Sequence, residues 1–366
     1  MQTELCRKLG LEFPIVAFSH CRDVVAAVSN AGGLGVLGIS GSSADELDRE
    51  LTWIVDATGG RPYGVDVLLP APATEASVAV EDLIPAAHKE FVADLMARYG
   101  VPPLPDAGPV RTVPGALAAH GVALIEAALE HRVGLVASAL GPPPPEMVTR
   151  AHDRGVPVAA LVGKREHAER QRDAGVDIIV AQGYEAGGHV GEIGTMVLVP
   201  EIVDAVAPLP VLAAGGIASG RQVAAALALG AQGVWTGSVW LTTQEAETHP
   251  AVVAKFLRAT SSDTIRSRAT TGKPARQLRT AWTDEWENPA NPDPLPMPLQ
   301  TILTADARAR IQRSANKPDS GAGALITYFV GQVVGSLRTV RPAREVLLDM
   351  VEEYLEVVER LGGSAD

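Results

Sequence analysis

The sequence of 366 residues contains only two cysteines, Cys6 and Cys21, and this scarcity excludes a disulfide-stapled fold. Small secreted domains rely on several disulfides, whereas a reducing cytosol leaves thiols free. No basic segment followed by a short apolar segment opens the chain, and no apolar run approaches the length of a membrane span. We therefore expect a soluble, cytoplasmic protein that does not enter a membrane.

Basic residues are also in short supply. Lysine and arginine number 31 against 43 aspartates and glutamates, which gives a net charge of −12. Binding to nucleic acid needs clustered basic side chains that neutralise phosphates, so we expect no nucleic-acid partner. The eight histidines are scattered, and the sequence contains neither a CxxC nor an HExxH pattern. These absences give no sequence support for a metal site.

Most of the chain alternates between short apolar, β-branched segments and segments with helical periodicity. Parallel strands need helical crossovers, so eight strand-then-helix units predict an α/β protein with a (β/α)8 TIM barrel. The predicted strands span residues 13–18, 32–38, 63–69, 132–138, 157–162, 177–180, 210–214 and 233–241.

Two segments break this alternation. Prolines punctuate residues 70–114 around one predicted helix near 86–99, which indicates an insertion after the third strand that acts as a flap near the site. Residues beyond about 250 contain a proline-rich loop at 289–298 and predicted helices at 305–314, 319–335 and 342–361. We therefore divide the chain into a barrel, residues 1–250, and a mostly helical extension, residues 251–366, packed at the barrel mouth.

A glycine-rich loop follows the sixth predicted strand, at residues 180–191, and carries Gln182, Glu185 and His189. Glycine is used where the backbone adopts unusual dihedrals or approaches a ligand closely. TIM barrels keep their chemistry in such loops, at the carboxyl ends of the strands. From the residues alone, a turn whose His189 only caps backbone groups is an equally good interpretation.

Two further glycine turns follow the seventh and eighth predicted strands, with the sequences Gly-Gly-Ile at 215–217 and Thr-Gly-Ser at 236–238. Barrels commonly bind a phosphate at these positions through backbone N–H groups and a helix N-terminus. The hydroxyl of Ser238 adds a donor. The alternative is tight packing of small residues at the top of the barrel.

Together, residues 181–191 and the two glycine turns resemble the nitronate monooxygenase family, formerly called 2-nitropropane dioxygenase, which includes flavin-dependent enoyl-acyl-carrier-protein reductases. The resemblance covers about 1–70 and 115–245, and extends to residues 331–335. It implies an FMN-bearing TIM barrel in which His189 faces the substrate. It implies that five residues hold the FMN phosphate: Gly215, Gly216, Ile217, Gly237 and Ser238. It implies that three residues contact the flavin: Gln182, Gly187 and Gly188.

The sequence departs from the family pattern at two places beside the expected flavin. The first strand usually ends in Gln-Gly-Pro-Met or Gln-Gly-Gly-Met, whereas here it ends in Ala-Phe18-Ser19-His20. Asp66 stands where the family typically has asparagine. An anionic Asp66 would disfavour a reduced anionic flavin unless it is protonated or bonded to His20. We expect His20 and Asp66 to contact each other or the polar edge of the flavin.

Three functions follow from these features. The first is an FMN-dependent oxidase or monooxygenase that converts alkyl nitronates and O2 to a carbonyl compound and nitrite, with His189 binding the nitro oxygens or removing an α-proton. The second is an NAD(P)H-dependent FMN reductase of enoyl thioesters or quinones, without a separate Rossmann site because no GxGxxG follows a strand. The third is a flavin-binding barrel without catalysis, against which His189 argues. A homodimer is left open.

Overall fold

A computed structural model describes residues 1–69, 83–104 and 116–363 of the chain. Eight parallel strands close into a barrel, with the strands in the order β1-β2-β3-β4-β5-β6-β8-β9. Helices surround it, and the predicted (β/α)8 TIM barrel is confirmed. The barrel strands are β1 (Ile15–Ser19), β2 (Leu34–Gly38), β3 (Tyr63–Leu68), β4 (Leu135–Ala139), β5 (Val158–Val162), β6 (Ile178–Gln182), β8 (Val211–Ala214) and β9 (Gly233–Thr236).

Capping residues mark the starts of several helices. The third helix, for example, begins with a capping box in which Ser43 and Glu46 bond each other's backbone N–H groups. The helices are α1 (Glu4–Leu9), α2 (Arg22–Asn30), α3 (Ala44–Thr58), α4 (Ala86–Arg98), α5 (Ala116–Leu129), α6 (Pro145–Asp153), α7 (Arg165–Asp173), α8 (Thr195–Val206), α9 (Gly220–Ala228), α10 (Pro250–Phe256), α11 (Ala281–Glu287), α12 (Leu299–Ser314), α13 (Ala322–Leu325) and α14 (Ala343–Gly362).

The barrel interior is closed at the amino ends of its strands. Leu5 and Leu9 of α1 pack against inward-facing strand residues such as Leu34 and Leu212. The Thr3 hydroxyl fixes this plug by donating a hydrogen bond of 2.8 Å to the carbonyl of Gln232, just before β9. Because this end is filled, a ligand can enter the barrel only at the carboxyl ends of the strands.

The last helix lies in the outer ring of the barrel. α14 packs against α9 and α2, the helices that follow β8 and β1. The Glu353 carboxylate accepts a hydrogen bond of 2.7 Å from the Gly220 N–H and pairs with Arg221. This position, next to the helix that follows β8, is where the eighth helix of the barrel belongs. The expectation that the extension packs at the mouth therefore does not apply to α14, and a domain boundary at residue 250 stays a prediction.

The segment between β9 and α14 contains strands as well as helices. Strands β10 (Thr264–Ser267) and β11 (Ala275–Leu278) join the two-residue strand β7 (Gly188–His189) in an antiparallel sheet of order β10-β11-β7. The predicted helix at 319–335 is wrong, because only α13 is helical there before a 3-10 turn at Gln332–Ser336. Residues 327–329 instead run along β11, where the Leu278 N–H donates to the Tyr328 carbonyl.

Two other expectations concern segment ends. Strand β9 stops at Thr236 instead of near 241, because a 3-10 turn begins at Ser238 and the Trp240 indole N–H bonds the Thr236 hydroxyl at 3.0 Å. The predicted helix near 86–99 is present as α4. The rest of the predicted insertion, residues 70–82 and 105–114, lies outside the described residues, so the flap stays a prediction.

In the described parts of the chain, every helix is too short or too polar to span a membrane.

Candidate active site

One cavity of about 1430 Å³ opens at the carboxyl ends of the barrel strands. Ligand pockets usually measure roughly 300–1,000 Å³, so this one has room for a cofactor and a second molecule. Every residue that the sequence singled out for cofactor binding or catalysis lines it. These residues are Phe18, Ser19, His20, Asp66, Gln182, Gly187, Gly188, His189, Gly215, Gly216, Ile217, Gly237 and Ser238.

The turn after β8 lines this cavity and has two backbone donors without an acceptor. Gly215 and Gly216 have φ angles of 98° and 73°, in the left-handed region that favours glycine. Within the described residues, no backbone or side-chain acceptor takes the N–H groups of Gly216 or Ile217. Backbone N–H groups seldom go without an acceptor, and successive ones in such a turn form an anion-binding concavity. The turn therefore fits a phosphate.

The second predicted turn adds to this concavity. A Cβ added to Gly237 would meet only the Phe18 ring, at 4.0 Å, so open space lies beside this glycine. The Ser238 hydroxyl oxygen accepts a hydrogen bond of 2.8 Å from the Gly331 N–H. Its own proton is therefore available to a ligand oxygen. The same contact holds residue 331 of the extension onto the barrel top.

Glu185 has a structural role in the central loop. Its carboxylate accepts hydrogen bonds from the Thr195 N–H at 2.9 Å and from the Thr195 hydroxyl at 2.8 Å, at the start of α8. A carboxylate there is stabilised by the partial positive charge of the helix N-terminus. A Cβ at Gly187 would lie 2.8 Å from the Gly331 nitrogen, so the extension packs directly on the loop. The loop conformation is thus fixed from both sides.

His189 is held by the extension rather than by the barrel. It lies on β7, opposite Ala275 of β11, and its Nε2 is 2.9 Å from the Thr271 hydroxyl. This partner is a side chain, so His189 does not simply cap the backbone. Within the described residues no hydrogen bond is made by Nδ1, which leaves that nitrogen for a ligand.

Burial makes His189 a weak base. Loss of hydration, together with the nearby positive charge of Lys273, lowers the pKa of His189 to about 4. The imidazole is therefore neutral at pH 7. A base with so low a pKa removes protons poorly at that pH, whereas a neutral imidazole still donates or accepts a hydrogen bond. The site favours the hydrogen-bonding role of His189 over proton abstraction.

Asp66 is an uncharged acid in the resting site. Its side chain is 5% exposed, and Oδ1 has no hydrogen-bond partner within the described residues. Burial raises the pKa of Asp66 to about 8, although a hydrogen bond from the Val67 N–H opposes this shift. At pH 7 the carboxyl is mainly protonated, and it can donate a hydrogen bond into the cavity.

Of the two contacts expected for His20 and Asp66, the contact with each other is absent, and the contact with the polar edge of the flavin stays a prediction. His20 Nδ1 lies 3.2 Å from the Gly38 carbonyl, and its ring meets the Phe18 ring edge-on at 5.1 Å. Among the described residues, no ion pair or hydrogen bond joins His20 to Asp66. Gly38 lies on β2, between β1 and β3, and pairs with Asp66 of β3. His20 therefore contacts the backbone carbonyl of Gly38 and not the carboxyl group of Asp66.

Trp235 was missed by the sequence analysis. Its ring lies 6.5 Å from the Phe18 ring, nearly parallel at 22°, and it lines the cavity. Strand alternation was the available signal, because Val234 packs in the outer core while Trp235 belongs to the barrel interior. The two stacked rings form an apolar wall beneath the glycine turns.

Basic residues around the cavity were also missed, because the negative total charge conceals them. Among the described lining residues, lysines and arginines outnumber the charged carboxylates, since Asp66 is protonated and uncharged. A cavity lined mainly by one sign of charge attracts ligands of the opposite sign. The basic lining residues are Lys164, Arg170, Arg266, Lys273 and Arg308, and the carboxylates are Glu192 and Glu247.

Relatives match this protein along the whole chain. A Mycobacterium tuberculosis protein, named provisionally as a monooxygenase, is 60% identical over 99% of both chains. The solved nitroalkane oxidase of Streptomyces ansochromogenes is 28% identical and superposes with a TM-score of 0.80, covering 98% of this chain and 99% of its own. FabK from Thermotoga maritima is also 28% identical, with a TM-score of 0.75 over 100% of this chain and 99% of its own.

The family model for nitronate monooxygenase matches residues 5–353, which include the barrel, the inserted segment and the first half of α14. This match and the solved relatives support a flavin cofactor and an oxidoreductase activity. With the barrel, the glycine turns and His189 in one cavity, the chain belongs to the nitronate monooxygenase family.

Proposed function

We propose that the protein is an FMN-dependent monooxygenase that converts alkyl nitronates and O2 to a carbonyl compound and nitrite. The observation that carries this proposal is a single cavity that combines free N–H donors at 216 and 217 with a neutral His189 and a basic lining. FMN supplies the electron acceptor that amino-acid side chains lack. The turn at 215–217, Gly237 and Ser238 hold its phosphate.

The charges of the site suit a substrate that arrives as an anion. A nitronate has already lost its α-proton, so the reaction requires no strong base, and His189 with a pKa near 4 is not one. The basic lining raises the local concentration of anions. His189 then orients the nitronate oxygens through a hydrogen bond, while Asp66 in its protonated form adds no repelling charge.

The decisive experiment compares a preformed nitronate with its neutral nitroalkane, using flavin-loaded protein in air. We expect nitrite from the nitronate and far less from the nitroalkane, because His189 abstracts protons poorly. The bound cofactor, released by denaturation, should be FMN and not FAD. A colourless protein that also fails to take up FMN would reject the cofactor, and absence of nitrite from both substrates would reject the reaction.

A second candidate is an NAD(P)H-dependent FMN reductase of enoyl thioesters or quinones. It is favoured by the bulky Phe18 and His20 at the end of β1, where the family usually has small residues and methionine. Anaerobic addition of NADH or NADPH separates the two. Rapid bleaching of the flavin without nitronate oxidation would establish the reductase. A bound flavin that neither NAD(P)H nor a nitronate reduces would favour a barrel without catalysis.

A further inference from the structure

Helix α12 turns one face toward the cavity, and that face ends in an arginine. Residues at helical spacing along it line the cavity, beginning with Thr301 and continuing through Ala305 and Arg308 to Gln312. Residues three and four apart lie on the same side of a helix, so these side chains form one row. Arg308 is the positive charge in that row.

Arg308 has no protein partner for its charge within residues 1–69, 83–104 and 116–363. No carboxylate there lies within 4.0 Å of it, and its buried Nε makes no hydrogen bond. Burial lowers the pKa of Arg308, but a guanidinium stays charged in proteins. By contrast, Arg310 pairs with Asp306 and donates to the carbonyls of Val101 and Pro102. Removing a charge from water is costly unless an opposite charge compensates it.

The spacing along α12 between Thr301 and Arg308 gives the scale of a ligand that reaches from His189 to Arg308. His189 bonds the Thr271 hydroxyl, and the Thr301 hydroxyl donates to the Thr271 carbonyl at 3.4 Å. Arg308 follows Thr301 by seven residues, which is roughly 10 Å along the helix axis. Apolar side chains that include Ile302 also line the cavity. An extended chain covers roughly 1.2 Å per bond, so about eight bonds bridge this interval.

We propose that Arg308 binds the anionic end of a linear substrate whose reactive carbon lies beside His189. The substrate class is an alkyl nitronate of roughly nine carbons with a terminal carboxylate or phosphate, since a guanidinium binds either group through paired hydrogen bonds. Apolar lining between the two ends holds the alkyl chain. The identity of the reactive group rests on the proposed function, whereas the anion site rests on Arg308 itself.

The first test measures binding alone, with the flavin-loaded protein and unreactive ligands. Calorimetry compares linear nine-carbon ligands that end in a carboxylate, a phosphate or an alcohol. We expect the better anion to bind at least about tenfold more tightly than the alcohol, as for a hydrogen bond to a charged group. Arg308→Gln should abolish that preference, and Arg308→Lys should retain part of it. Arg313→Gln is the matched control, because Arg313 is exposed on the same helix.

The arms of this test identify the anion and can overturn the inference. If the wild-type protein prefers the carboxylate or the phosphate ligand and Arg308→Gln loses that preference, the preferred anion is the terminal group of the substrate. Equal binding of anion and alcohol by the wild-type protein, or equal loss in Arg308→Gln and Arg313→Gln, would reject the anion site. These outcomes do not depend on nitronate turnover, so they are distinct from failure of the proposed function.

The second test measures nitrite release from nitronates of three and nine carbons, with and without the terminal anion. In the wild-type protein, kcat/KM should favour the anion-ended substrate only at the longer length, because the short chain cannot reach Arg308. In Arg308→Gln, the ratio of the kcat/KM values for the two nine-carbon substrates should fall to about one, because the KM for the anionic substrate rises. The same preference at three and nine carbons would contradict the 10 Å interval.

Discussion

Asp66 provides a sharp test of the electrostatics inferred for this cavity. The unperturbed pKa of an aspartate is about 3.9, whereas burial raises the pKa of Asp66 in the folded protein to about 8. Between these values the folded protein binds a proton that the unfolded chain has released. Stability therefore falls as pH rises from about 4 to about 8 and is flat, for this group, above that range.

The substitution Asp66→Asn removes this titration while keeping the size and an N–H donor. The stability difference between the variant and the wild-type protein should grow by about 1.4 kcal/mol per pH unit between pH 5 and 8. Over the full shift of about four units, the difference reaches on the order of 5 kcal/mol as an upper limit. Asparagine leaves a buried amide that also needs hydrogen-bond partners, so the two proteins will differ in stability by an amount that does not depend on pH. Only the change of that stability difference with pH reports the pKa of Asp66.

Denaturant unfolding at several pH values, with the same excess of flavin throughout, measures this slope. Asp23→Asn is a matched control, because Asp23 lies near the barrel mouth but is far more exposed than Asp66. A difference between Asp66→Asn and wild type that does not vary from pH 5 to 8 would refute the raised pKa. A difference that shrinks as pH rises would mean that Asp66 is stabilised as an anion.

Three other predictions follow from the site. His189→Ala should keep the flavin but lose roughly 10- to 100-fold in kcat/KM for a nitronate, because one hydrogen bond to an anion is lost. In the wild-type protein, the dependence of kcat/KM on pH should show no histidine ionisation near pH 6.5. Gly216→Ala should weaken flavin binding in fluorescence titration, whereas Gly155→Ala, with a similar positive φ but open surroundings, should cost only stability. Ser238→Ala, which removes the acceptor for the Gly331 N–H, should weaken flavin binding and expose the extension to proteolysis. If both Gly216→Ala and Ser238→Ala leave the flavin affinity unaltered, the flavin phosphate does not bind at this end of the cavity.

The barrel and its glycine turns were readable from sequence because each rests on local patterns. Strand-helix alternation specifies a parallel sheet, and the closed barrel follows from eight repeats of it. The Gly215 and Gly216 pair reflects a backbone conformation that other residues adopt only with strain. Such signals involve neighbours in the chain, so no knowledge of distant contacts is needed to recognise them.

What sequence reasoning missed depends on contacts between distant residues. The strand β7 has two residues, too few for any periodicity, and exists because β11 pairs with it from about 87 residues later in the chain. The contact of His20 with Gly38 turns on side-chain direction, which strand register alone does not specify. Arg308 lies on a helix with no pronounced apolar face, so its direction toward the cavity appears only when α12 is packed.

These charge states together constrain the reaction. Asp66 is protonated and His189 is neutral near pH 7, so neither is a competent base for a neutral carbon acid, while the described lining carries an excess of lysines and arginines. Lys164 pairs with Glu166, and under the proposed function the phosphate of FMN and an anionic substrate balance the charge that remains. Under the proposed function, the protein oxidises a carbon that has been deprotonated beforehand in solution. Turnover of a nitroalkane should then follow its nitronate fraction as pH rises, with no contribution from His189 until the pH falls toward 4.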